Sequence, residues 1–108
     1  VVGPAVERKI GISAMSQITI DANSFQSAEW AKAKGLYTDV FEDVEALDEG
    51  VMKMGDYLLS TNPEAQSMLK KVFWENCSHW DELLETRAET SGRLVLSDYT
   101  KEALKAYS

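Results

Sequence analysis

Cysteine and histidine are the side chains best suited to nucleophilic, acid–base or metal chemistry, and this sequence contains one of each, Cys77 and His79. A reactive cysteine needs a nearby cation or helix start that favours the thiolate, and none is evident beside Cys77. A zinc site needs three or four ligands at defined spacing, which this pair does not supply. We therefore predict that Cys77 is a small buried residue and that His79 lies at the surface or caps a helix.

Acidic residues are the second group that could do chemistry, because two carboxylates held together can divide the roles of acid and base. Five of them are close in sequence: Glu42, Asp43, Glu45, Asp48 and Glu49. We interpret them as the solvated face of a helix. The glycines are isolated along the chain, so no glycine-rich loop could cradle a phosphate. The sequence thus predicts no catalytic, cofactor-binding or metal-ligating residue among its 108 residues.

Composition and charge exclude several classes of partner. The net charge is −7, whereas affinity for nucleic acid depends on lysine and arginine neutralising phosphates. No apolar run approaches the roughly 20 residues of a membrane span, and the first residues do not resemble a signal peptide. A single cysteine forbids an internal disulfide and suits a reducing compartment. We expect a cytoplasmic chain of one domain that binds neither nucleic acid nor membrane.

The first part of the chain is expected to contain three short helices and a strand. Pro4 favours the start of a helix that Gly11 closes, and Ser13 can cap a second one. Ser27 can cap a third helix, which ends at Gly35 because glycine adopts the left-handed conformation that ties off the last carbonyls. The apolar residues that follow predict a short buried strand near residues 36–40.

The second part reads as helices throughout. Apolar residues spaced by three and four predict a helix over residues 43–60, in which Gly50 and Gly55 either admit a close neighbour or require tertiary support. Asn62 and Pro63 start another helix. A capping-box pattern begins a further helix at residues 78–81, residues 91–92 end or bend it, and Ser97 caps the last one. Trp74 and Trp80 are predicted packing residues or candidates for a subunit interface.

Three blocks of this sequence resemble, in order, the C-terminal part of the enoyl-CoA hydratase/isomerase (crotonase) family. They are Gly3 to Ile20 with its Arg8-Lys9-Ile10-Gly11, the run Ser27-Ala28-Glu29-Trp30-Ala31 followed by Gly35-Leu36-Tyr37, and Leu58 to Ala65 with Lys70 after it. The sequence departs from the family pattern at three positions. Val6 replaces the usual leucine, Gln17 a frequent acidic residue and Ala22 the usual glycine. The tail after residue 75 is only compatible with the family, so no tail-borne CoA contact is carried over.

The resemblance implies a mostly α chain that forms the C-terminal helical region of an α/β spiral fold. Residues 1–42 would end the spiral core, with two short helices, a third helix and a strand, and residues 43–108 would form a helical layer used in oligomerisation. Family members polarise an acyl-CoA thioester carbonyl with two backbone N–H groups, and acidic side chains move the proton. Those groups belong to segments upstream of the first block.

The implied function is that of part of a lyase or isomerase of fatty acid metabolism. The acyl-CoA would be the substrate of the parent enzyme, which would need no cofactor and would form a trimer or a dimer of trimers. The fragment itself would be inactive and would serve pocket closure and assembly. The sequence does not distinguish a hydratase from an isomerase or a thioester hydrolase, and it does not indicate the acyl-chain length of the substrate. The alternative is a stand-alone acidic helical module for protein interaction, without catalysis.

Overall fold

Six helices build the chain in the computed structural model, which describes residues 2–108 and contains no strand over that range. They are α1 (Gly3–Ile20), α2 (Ala28–Lys34), α3 (Val44–Leu59), α4 (Pro63–Phe73), α5 (Trp80–Val95) and α6 (Asp98–Lys105). The described chain divides into two compact units, residues 2–74 with α1 to α4 and residues 75–108 with α5 and α6. The mostly α prediction is confirmed.

Helix α1 carries a kink where the sequence predicted a break. Gly11 has a φ of 78° and a ψ of 167°, outside the helical region, so the two predicted short helices form one kinked element. Arg8 links this helix to the end of α4: its Nε donates to the carbonyl of Phe73 at 2.8 Å, and its guanidinium lies 6.0 Å from the centre of the Trp74 ring. A cation at a helix C-terminus is favourable because the last carbonyls lack partners within the helix.

Helix α2 has the termini predicted from its sequence. The Ser27 side chain accepts a hydrogen bond from the Trp30 amide at 3.0 Å, which satisfies one of the open donors of the first turn. Gly35 ends the helix at a φ of 88° and a ψ of 9°, in the left-handed region. Both predictions are confirmed.

The predicted strand at residues 36–40 is wrong. The amides of Leu36 and Tyr37 donate to the carbonyl of Ala31, at 2.9 and 3.3 Å, as part of the cap that ends α2. A strand is defined by pairing with a second strand, and the described residues contain none. Leu36 to Phe41 therefore form an irregular segment, called here the 36–41 segment.

Helices α3 and α4 begin at side-chain caps. Asp43 accepts from the amide of Ala46 at 2.7 Å, and Asn62 accepts from that of Glu64 at 2.9 Å. Pro63 occupies the first turn of α4, where its missing N–H costs no hydrogen bond. The helices predicted over residues 43–60 and from Asn62 are confirmed.

Helix α5 differs from its prediction at two points. His79 occupies the N-cap position without a side-chain capping bond, so the capping box expected at residues 78–81 does not form. The helix also continues through Ser91 and Gly92 to Val95, because one glycine costs a helix only about 1 kcal/mol. The cap predicted at Ser97 is confirmed, since its side chain accepts from the amide of Thr100 at 3.4 Å.

Little of the chain is buried. Among residues 2–108 only Pro4, Ala14 and Ala31 are buried, and the last two are small side chains 7% and 6% exposed. Large apolar side chains on α3 and α4, such as Leu59, Met68 and Phe73, are exposed.

Candidate functional site

The two residues first considered for chemistry lie in the connection between α4 and α5. His79 is exposed. Cys77 is half-buried rather than buried as predicted, and its Sγ lies 3.4 Å from the carbonyl oxygen of Glu75. Asn76 between them has a φ of 59°, a left-handed conformation that asparagine tolerates. The geometry brings no nucleophile and base together here.

The acidic group is solvated, as predicted. Glu42, Asp43, Glu45, Asp48 and Glu49 are all exposed, and the structure gives Asp43 the further role of capping α3. Within residues 2–108, no group of three or more histidine, cysteine or acidic residues is arranged to hold a metal ion.

An apolar groove lies between the 36–41 segment and α3. Its volume is about 580 Å³, and it is called here the long groove. Leu36, Tyr37 and Phe41 line one side, while Val51, Met54 and Leu58 line the other. The three residues from α3 are three, four or seven positions apart, so they share one face of the helix. This is the range of volume and lining found in small-molecule sites.

A second groove of about 300 Å³, called here the short groove, lies beside the first turns of α3. Val44 and Leu47 form its helical wall, and Tyr37, Asp39 and Phe41 border both grooves. The two grooves therefore follow the same face of α3, one after the other.

The Phe41 ring of the 36–41 segment lies against Gly50 of α3. A Cβ placed on Gly50 would lie 2.6 Å from Cε1 of the Phe41 ring, far inside van der Waals contact. Glycine at this position is thus what lets the ring rest on the helix. The sequence-based expectation of a close neighbour is confirmed at Gly50, whereas a Cβ at Gly55 would meet nothing within 4 Å.

Charge plays a small part in this site. Asp39 pairs with Lys32 at 3.2 Å, but both side chains are about half exposed. Such a pair contributes about 0 to 1 kcal/mol because water screens it. Thr38, Asp39 and the hydroxyl-bearing Tyr37 border the long groove, and its remaining lining is apolar or glycine.

Asp21 lies in the turn after α1. The pKa of Asp21 is lowered, first by the hydrogen bond from the Ser24 hydroxyl at 2.6 Å and then by the backbone amide of Asn23 at 3.3 Å. Both donors favour the ionised form. The group is fully exposed and serves the turn.

No family model, curated protein or solved structure matches this chain significantly. No helix of residues 2–108 is long and apolar enough to cross a membrane.

Sequence reasoning missed the grooves. The signal that could have found them is the set Leu36, Tyr37, Val40 and Phe41, which comes immediately before a helix whose apolar stripe is interrupted by glycine. A buried strand would place these side chains in a core. The actual path of the 36–41 segment along α3 leaves the apolar side chains at a surface groove.

Proposed function

We propose that this chain is the C-terminal helical region of an enoyl-CoA hydratase/isomerase-like enzyme acting on an acyl-CoA thioester. The observation that carries the proposal is the long groove, an apolar trough of about 580 Å³ beside the Gly35-Leu36-Tyr37 block. The order and spacing of the three sequence blocks are what suggest the crotonase family. An apolar trough on this part of the chain suits a wall of an acyl pocket.

The chemistry is assigned to the upstream part of the enzyme. Two backbone N–H groups would polarise the thioester carbonyl, and acidic side chains would transfer the proton. Residues 1–108 contribute the wall of the pocket and the helices that assemble the enzyme. The acyl-CoA is the substrate, and the reaction needs no cofactor.

Assembly into a cytoplasmic trimer or dimer of trimers is the second part of the proposal. It is supported by large apolar side chains that are exposed on α3 and α4, such as Leu59, Met68 and Phe73. Obligate interfaces are large and mostly apolar, so these side chains suit one. A monomeric complete enzyme in light scattering would contradict this part.

Crotonyl-CoA hydration tests the enzymatic part. The complete protein should consume the conjugated thioester, and the 108-residue chain alone should not. Hydration by the isolated chain would overturn the assignment of the reacting groups to an upstream segment. Inactivity of the complete protein on hydratable, isomerisable and hydrolysable acyl-CoA thioesters would overturn the function itself.

A stand-alone interaction module is the second candidate, favoured by the same exposed apolar faces together with the net charge of −7. In that case α3 and α4 would dock onto a protein partner without any reaction. The two functions differ in what covers the helices: upstream sequence of the same polypeptide and identical subunits in the enzyme, a different protein in the module.

A further inference from the structure

We infer that Phe41 is a specificity-determining residue that sets the length of the apolar chain accepted along α3. The inference rests on the acyl-CoA function proposed above and names a residue for its substrate selection. It starts from the position of Phe41, which borders both the long groove and the short groove.

Phe41 borders both grooves together with Tyr37 and Asp39, and it is the one of the three whose ring lies against Gly50 of α3. Leu47 belongs to the short groove and Val51 to the long groove, and four helical residues span about 6 Å. Gly50, on which the Phe41 ring rests, lies between them. The ring therefore closes the trough at the point where one groove would otherwise continue into the other.

The closure depends on a glycine and on a ring that can move. A Cβ at Gly50 would lie 2.6 Å from Cε1 and 3.3 Å from Cε2 of Phe41, so any larger residue displaces the ring. Phe41 is 37% exposed, which leaves it an open side toward which it can rotate. Displacing the ring joins the two grooves into one longer trough.

The chemistry of the walls selects an uncharged apolar occupant. Asp39, the acidic residue that borders both grooves, already has Lys32 at 3.2 Å as its counter-ion. Each methylene buried from water is worth a factor of about four in affinity or in kcat/KM, at the usual transfer energy per CH₂. A longer trough should therefore favour longer acyl chains in steps of that size.

Turnover of straight-chain 2-enoyl-CoA thioesters of increasing length by the complete protein tests the inference. Phe41→Leu keeps an apolar side chain but removes the ring, and Gly50→Ala displaces the ring by an independent route. Gly92→Ala in α5 is the control, because it adds the same methyl group to a helical glycine that has nothing within 4 Å and lines neither groove. Circular dichroism verifies that each variant is folded.

We expect Phe41→Leu and Gly50→Ala to raise kcat/KM about fourfold for each methylene beyond the wild-type optimum. The Gly92→Ala profile should coincide with that of the wild type. If the wild type is active and all four length profiles coincide, the role of Phe41 is overturned while the proposed function stands. If the wild type turns over no hydratable, isomerisable or hydrolysable acyl-CoA thioester, both are overturned.

Discussion

Replacing Gly50 by alanine should be less favourable than the same change at Gly55, although both glycines lie in one helix, α3. In an unhindered helix the change to alanine stabilises by about 1 kcal/mol, since glycine loses more conformational freedom on folding. Gly55→Ala should show this gain because its methyl group meets nothing within 4 Å. It is therefore the reference against which Gly50→Ala is judged.

At Gly50 the gain is opposed by loss of the Phe41 contact. The new Cβ would lie 2.6 Å from Cε1 of the ring, so the ring must leave the helix. Full burial of a phenylalanine side chain contributes about 1.5 to 3 kcal/mol, and Phe41 is 37% exposed. About 1 to 2 kcal/mol is thus at stake, and Gly50→Ala should be neutral or destabilising by up to about 1 kcal/mol.

A double-mutant cycle isolates this contact. In a Phe41→Ala background the ring is absent. Gly50→Ala should then stabilise the protein by about 1 kcal/mol, as Gly55→Ala does. Urea unfolding followed by circular dichroism gives the free energies of unfolding. Hydrogen exchange of the α3 amides provides the same difference without requiring a cooperative transition. Equal stabilisation by the two alanines in both backgrounds would refute the packing of Phe41 on Gly50.

Three further predictions concern the caps and the turn. Ser27→Ala should lower the stability of α2, measured by hydrogen exchange, by about 1 kcal/mol because it removes the N-cap. Ser78→Ala removes no cap and should change the stability of α5 by less than about 0.5 kcal/mol. Equal effects of the two variants would contradict the cap assignment. Arg8→Met should speed amide exchange in the last turn of α4, and unchanged exchange would count against its bond to that carbonyl. Ser24→Ala should raise the pKa of Asp21 toward its ordinary value in an NMR titration. Because the pKa of Asp21 is lower in the folded state, its hydrogen bonds contribute to folding stability above the pKa of the unfolded state. This contribution is lost as the pH falls through the pKa of the folded state. An unchanged titration of Asp21 in Ser24→Ala would refute the role of Ser24.

Helix termini were predictable from the sequence because capping is a local interaction. The side chains of Ser27, Asn62 and Ser97 each bond to an amide two or three residues ahead, and the left-handed Gly35 ties off carbonyls of its own helix. Nothing distant has to be known for these interactions to form.

Features that depend on distant partners were not predictable in the same way. The apolar character of residues 36–40 suits a strand, but a strand needs a pairing edge, and the local amides are used by the α2 cap instead. Ser91 and Gly92 could have ended α5, yet a helix tolerates one glycine when its neighbours favour the helical conformation. The grooves depend on the path of the 36–41 segment, which no local pattern specifies.

The central claim is that these helices are one part of a larger acyl-CoA enzyme, and the coding sequence upstream of Val1 tests it most directly. The account predicts an in-frame region of about 150 residues, the size of a domain, with glycine-rich stretches and alternating apolar residues. A start codon immediately before Val1 would contradict the account and favour the stand-alone interaction module.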